Sequence, residues 1–479
     1  MDQIVQHVVN IFNDFLWSKL LIVLLIAVGL YFTVGTKFLQ FRLIGEMFRV
    51  IREPKSKAKG SISPFQAFAI SMAARVGTGN ITGVALAISL GGPGAVFWMW
   101  IIALVGSASS FIESTLAQIY KVKDGAGGYR GGPAYYMQQG LKKRWMGVLF
   151  AILITLSFGL VFNAVQSNTI TIAFENSFGT DRLTIGIIMA VIFAVIIFGG
   201  VKRIAKMSEL IVVVLAVLYV GAALFIVLAN ITKLPEVFTL IVKSAFGYEQ
   251  VVGGSIGAAL MNGIKRGLFS NEAGMGSAPN AAATATTSHP AKQGLVQALG
   301  VLIDTMVICT STAFIILFTG AYQQTGLDGI ALTQAALGME MGAWASDFLA
   351  IMIFLFAFST LIGNYYYGET NIEFLKSNRA WIWVYRASVL AMVIFGSVTS
   401  VKLVWDLADL FMGLMVIVNL VAITLLSRTA FAALQDYLKQ KRAGLDPVFT
   451  KDSIKGLDDV ECWDENNNPS SEVQSYRIS

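Results

Sequence analysis

Two short segments set polar and glycine residues inside stretches that are otherwise almost wholly apolar. Residues 75–85 read RVGTGNITGVA, with Gly77, Thr78, Gly79 and Asn80 at the centre. Residues 267–279 read GLFSNEAGMGSAP, carrying Ser270, Asn271, Glu272, Gly274 and Gly276. Glycine is a poor helix former, costing about 1 kcal/mol against alanine, so both segments are expected to unwind locally. Unwinding frees backbone N–H and C=O groups, which lipid cannot satisfy but a ligand-lined cavity can. The positive end of a half-helix suits a carboxylate, and freed carbonyls suit Na⁺. The competing reading is close helix packing through small residues, which explains either segment taken alone.

The elements that must position these residues are membrane helices. The 479-residue chain is 56% hydrophobic and 13% charged, whereas a soluble domain carries about 25% charged residues. Its apolar residues lie in runs of the length that crosses a bilayer, about 20 residues each. Eleven spans are expected near 17–38, 64–90, 94–120, 147–174, 183–201, 207–230, 253–282, 295–320, 343–372, 381–399 and 402–427. Shorter apolar stretches near 235–246 and 329–338 read as surface or re-entrant helices. With the N-terminus outside and the C-terminus cytoplasmic, about 25 Lys and Arg fall in cytoplasmic segments and about five on the other side. The net charge of +6 is therefore read as loop charge facing anionic lipid, and no nucleic-acid partner is implied. Setting the first span aside leaves ten. The interrupted helices are then the first and sixth, corresponding positions in two five-helix halves. An odd number of helices per half makes the second half run inverted to the first. The expected division is 1–60 for the extra helix and a basic cytoplasmic loop, 61–230 and 231–430 for the two repeats, and 431–479 for a cytoplasmic tail. From about residue 444 the tail is polar and aperiodic and reads as disordered.

The third span begins GGPGAVFWMWIIALVG, residues 91–106. Together with RVGTGNITGVA and GLFSNEAGMGSAP, this resembles the sodium:alanine symporter family, the alanine or glycine:cation symporters of the amino acid–polyamine–organocation superfamily. The resemblance runs from about residue 15 to 440. It implies an all-α integral membrane protein of the leucine-transporter type, with a 5+5 inverted repeat preceded by one extra helix. It also implies sodium-coupled uptake of alanine or glycine, with glutamine as a further candidate, across the cell membrane by alternating access. Carried over by position, Thr78, Gly79 and Asn80 would meet the substrate carboxylate. Phe269 would wall the pocket, with Ser270 and Gly274 at the second break. Gln166 and Asn163 would add polar contacts from SFGLVFNAVQSNTI. Sodium would sit among the carbonyls of Ala73, Val76 and Phe356 and the hydroxyls of Ser359 and Thr360. These are oxygen ligands, as a hard cation requires. Back-bonding of Ser359 and Thr360 within their own helix is the competing reading. A second sodium site would need Asn80 and Ser270. No other cofactor is implied.

Charges inside spans are costly and often functional. Asp304 and Glu272 are the candidates for the alternative, proton coupling. Arg75 is placed to pair with a carboxylate, Lys265 and Arg266 to face an outer vestibule, and Glu113 to be a solvated or paired charge near a cytoplasmic end. Enzymatic chemistry is disfavoured. The two histidines, His7 and His289, fall at or beyond span ends, and neither HExxH nor GxSxG occurs. A channel is disfavoured by the matched pair of broken helices.

Overall fold

The computed structural model describes residues 2–54, 61–124, 127–198, 217–248, 255–324, 326–376 and 378–463. The architecture is helical, with one two-stranded antiparallel hairpin, Val122–Lys123 against Tyr129–Arg130. Among the described residues, seven continuous helices are long and apolar enough to cross a bilayer: Gln6–Gly35, Gly94–Ile119, Arg144–Phe178, Pro290–Thr319, Trp344–Leu375, Arg379–Val398 and Val401–Leu425. The other four expected spans are present in shorter or interrupted form. Arg182–Ile197 is a shorter apolar helix. Val217–Ala229 bends by 78° into Ile231–Ala245, so the stretch expected near 235–246 as a surface or re-entrant helix is the second arm of a bent pair. The beginning of the span expected at 207–230 lies outside the described residues. The remaining two are the broken helices, Pro64–Arg75 with a second half running to Gly91, and Ile256–Asn271 with Ala278–Ala282. The stretch expected near 329–338 forms the helix Gly329–Met341.

Local sequence sets the helix ends. Ser63 caps Pro64–Arg75 through a capping box with Gln66, and Pro64 fills the first turn, where its missing N–H costs nothing. His289 caps Pro290–Leu302 by accepting the Ala291 N–H. Besides one at Leu16–Leu20 in the first span, wide, π-type turns interrupt three further spans among the described residues, at Gly79–Gly83, Thr155–Phe162 and Ile303–Cys309. Such turns occur often at functional sites because they re-aim the residues that follow. All three converge on the broken helices.

The tail differs from its expectation. Residues 427–442 form the helix Ser427–Arg442, and 443–463 pack against the protein. Phe449, Cys462 and Trp463 are fully buried. The composition is polar on average, but these few side chains anchor the segment. Residues 464–479 lie outside the described residues.

Candidate functional site

The first broken helix ends its first half at Arg75, and Val76 turns extended at φ −79°, ψ 91°. That turn releases the carbonyls of Ala73 and Val76 from helical partners. The Thr360 hydroxyl, on the long Trp344–Leu375 helix, sits 2.9 Å from the Ala73 oxygen, 3.3 Å from that of Val76 and 3.1 Å from that of Phe356. A hydroxyl has one hydrogen, so it cannot satisfy the Ala73 and Val76 carbonyls at once, while Phe356 already accepts from Ser359. The result is a buried cluster with oxygen in excess of donors, the environment a hard cation takes. The residues thus fit Na⁺. Ser359 stands apart, since its hydroxyl donates to Phe356 at 2.7 Å within its own helix.

The approach is close enough to require glycine. A Cβ on Gly77 would lie 2.2 Å from the Thr360 hydroxyl and 3.0 Å from the Gln166 carbonyl oxygen. One on Gly79 would lie 3.0 Å from the Ser270 Cα and 3.1 Å from the Phe269 ring. The first break therefore touches the second through a position that has no side chain.

Past the break, the Thr78 N–H donates to Gln166 at 3.2 Å and the Gly77 N–H to Asn80 at 3.0 Å. The Thr78 hydroxyl is buried and has no hydrogen-bond partner among the described residues. Asn163 turns inward on its own helix, donating to the Gly159 carbonyl at 2.9 Å, which leaves only its buried side-chain oxygen unpartnered. Phe269 lies between Phe162 and Trp405, with ring centroids 4.7 Å away on either side. Beyond Trp405, Arg266 stacks at 4.6 Å and pairs with Asp409 at 2.5 Å, and Lys265 meets the same carboxylate at 3.3 Å. Lys265 and Arg266 are thus held against Asp409.

Asp304 joins the two breaks. It is fully buried and accepts from Asn80 at 2.6 Å, from Ser270 at 2.7 Å and from Thr305 at 3.2 Å. No cationic side chain lies within ion-pair distance of it among the described residues. Arg75, expected to meet a carboxylate, reaches the Gln297 carbonyl at 3.4 Å and the Ser110 hydroxyl at 3.5 Å, with the carboxyl groups of Glu113, Glu272 and Asp304 within range of its charge.

At the second break the freed groups are amides. Glu272 ends the Ile256–Asn271 helix in a left-handed conformation, φ 58°, and its carboxylate accepts from Ser277 at 2.5 Å. Glu113, far from being solvated, is fully buried. Its two oxygens accept the N–H of Gly274 at 3.1 Å and of Gly276 at 3.0 Å, and Asn419 donates to it at 2.8 Å. Asn419 also donates to the Gly274 carbonyl at 2.9 Å. Gly274, expected at the substrate, gives its N–H to Glu113 and one carbonyl lone pair to Asn419.

The sodium:alanine symporter family model matches residues 1–451. The chain belongs to that family. It is 70% identical to a protein of Bacillus subtilis named "Probable sodium/glutamine symporter GlnT", over 97% of this chain and 97% of that one. It is 40% identical to the "Sodium/proton-dependent alanine carrier protein" of Bacillus sp. strain PS3, over 87% of this chain and 97% of the relative. Among solved structures, a manganese transporter mutant of Eremococcus coleocola aligns with 79% of this chain and 81% of its own, at 14% identity and a TM-score of 0.49.

Within this family member, sequence reasoning passed over Asp409, Trp405 and Asn419. Asp409 carried a readable signal, an acid inside the apolar run VWDLADLFMG. Trp405 and Asn419 carried none, because an aromatic or an amide in a membrane helix is common.

Proposed function

We propose that the protein imports a small neutral amino acid, alanine, glycine or glutamine, together with Na⁺, by alternating access. The observation that carries this is the Thr360 hydroxyl facing the carbonyls of Ala73, Val76 and Phe356, which leaves oxygen without donors at the first break. The halves 61–230 and 231–430 act as inverted repeats, with the N-terminus outside and the C-terminus in the cytoplasm. Ala73, Val76, Phe356 and Thr360 hold Na⁺, with Ser359 orienting the Phe356 carbonyl. Thr78, Gly79 and Asn80 receive the substrate carboxylate, Gln166 orients Thr78, and Phe269 closes over the side chain.

The driving force is adequate. A tenfold Na⁺ gradient supplies about 1.4 kcal/mol and roughly 100 mV adds about 2.3 kcal/mol per charge, enough for about 500-fold accumulation at one-to-one coupling. Uptake of labelled alanine, glycine and glutamine into proteoliposomes, with an inward Na⁺ gradient or with K⁺ in its place, tests the proposal. Accumulation of one of them only with Na⁺ is expected. Uptake driven equally by a proton gradient without Na⁺ would remove the sodium assignment. That outcome would favour the second reading, proton coupling through Asp304, whose carboxyl group touches Asn80 of one break and Ser270 of the other.

A further inference from the structure

Residues 445–463 lie across the ends of several elements at one side of the protein. The Phe449 N–H donates to the Ser288 carbonyl at 2.9 Å, and the Ser288 hydroxyl donates to the Pro447 carbonyl at 2.8 Å. Asp446 pairs with the buried Lys292 at 3.2 Å. The Trp463 indole N–H donates to the Gln118 carbonyl at 3.0 Å, its ring faces the Lys121 ammonium at 5.2 Å, and it meets the Phe449 ring edge-on at 5.2 Å. Gln118 and Lys121 stand at the end of the Gly94–Ile119 helix, which carries Glu113. Ser288 follows the short helix of the second break. Two residues before Ser288, the Thr286 N–H donates to the Ile62 carbonyl, at 2.9 Å, just ahead of the first broken helix. The segment thus fastens the feet of both broken helices to the Glu113 helix.

A solute leaving by this side passes between those feet. A packed Trp and Phe over the junction oppose that separation. The segment also has a joint. Gly444 takes φ +75° directly after the Ser427–Arg442 helix, and a Cβ there would meet nothing within 4 Å. What holds the joint is hydrogen bonding, the Leu445 N–H to the Gln440 carbonyl at 3.1 Å and the Gln440 side chain to both backbone groups of Val448 at 2.8 and 2.9 Å, so lifting the segment must break these bonds but meets no steric contact at Gly444.

We propose that residues 445–463 are a latch, which closes the inner side of the transporter and lifts when that side opens. This rests on the reading above that the C-terminus is cytoplasmic and that the protein works by alternating access.

Cys462 supplies the reporter, since it is fully buried and in no disulfide. Its modification by a membrane-impermeant maleimide, read by peptide mass, is followed in inverted membrane vesicles and in intact cells. The exposed Lys439, substituted K439C, reports sidedness independently of the latch. With Na⁺ plus alanine and glutamine, Cys462 should react on the order of tenfold faster than with K⁺ alone, because opening exposes a protected group. W463A should speed counterflow of labelled amino acid by about threefold, and D446N, which weakens the pairing with Lys292, should act in the same direction. D446N decides the matter if W463A does not fold. Equal protection of Cys462 in both conditions while transport runs, or counterflow unchanged in D446N with W463A unchanged or unfolded, would show a static cap and overturn the latch. Labelling of K439C only in intact cells would instead overturn the sidedness on which the latch rests.

Discussion

At the first interruption the chain leaves carbonyl oxygens in excess. At the second it leaves amide N–H groups, and an anion already meets them. Ala73 and Val76 share the one hydroxyl hydrogen of Thr360, whereas Gly274 and Gly276 each have their own oxygen of Glu113. The first break has carbonyls in excess of donors and the second has its amides matched by a carboxyl group. Two helices broken by similar glycine-rich sequence therefore serve different ends, one open to a ligand and one held by the protein itself.

Substitutions that act on one break and spare the other test that contrast. The largest effect is expected from T360V, which keeps the shape and removes the shared hydroxyl. Apparent Na⁺ affinity in uptake assays should fall by ~100-fold, about 2.7 kcal/mol. S359A, whose hydroxyl reaches only Phe356, should lose far less, and equal losses would erase the distinction between the two hydroxyls. E113Q comes next. It replaces one of the two charge-assisted acceptors with an amide that donates, so the maximal rate should drop ~10-fold while apparent Na⁺ affinity stays within about twofold. A parallel loss of Na⁺ affinity would mean the two breaks are not separable. F269A opens the aromatic wall and should raise KM for the amino acid by ~10-fold, measured against an unchanged Na⁺ dependence.

A smaller effect comes from outside the membrane. Burial works against ionisation of Glu46, but Arg49, Tyr437 and Lys441 more than offset it and hold the carboxyl down at about 2. Its folded value is depressed, so its contribution is fully present above the ordinary 4.5 and is lost only as pH falls towards 2. Thermal stability measured between pH 7.5 and 5.5 should show no titration from this contact, and E46Q should lower Tm slightly and equally at both ends.

Much of this arrangement was legible in the sequence, for reasons that differ by residue. Glycines flanking Thr78 and the run through Gly276 mark the breaks because glycine weakens helices wherever it stands. Ala73, Val76, Phe356 and Thr360 came from resemblance, since carbonyls carry no side-chain signal. Glu113 was misplaced because distance along a helix says nothing of what packs beside it. Its partners are more than 150 residues away, in Gly274, Gly276 and Asn419. Asn163 was chosen by spacing, and its amide donates to Gly159 while its buried oxygen has no partner among the described residues. The tail was misjudged because composition averages over a segment, while Phe449 and Trp463 act singly.

The hydroxyl of Thr360 has one more consequence. When an ion departs, the oxygens around it must not be left repelling one another inside lipid. A hydroxyl that can rotate its hydrogen onto whichever carbonyl is bare gives the emptied site a resting arrangement. In the proposed cycle, sodium can then dissociate on the dilute side without first dismantling the helix ends around it, and the return leg begins from an intact scaffold.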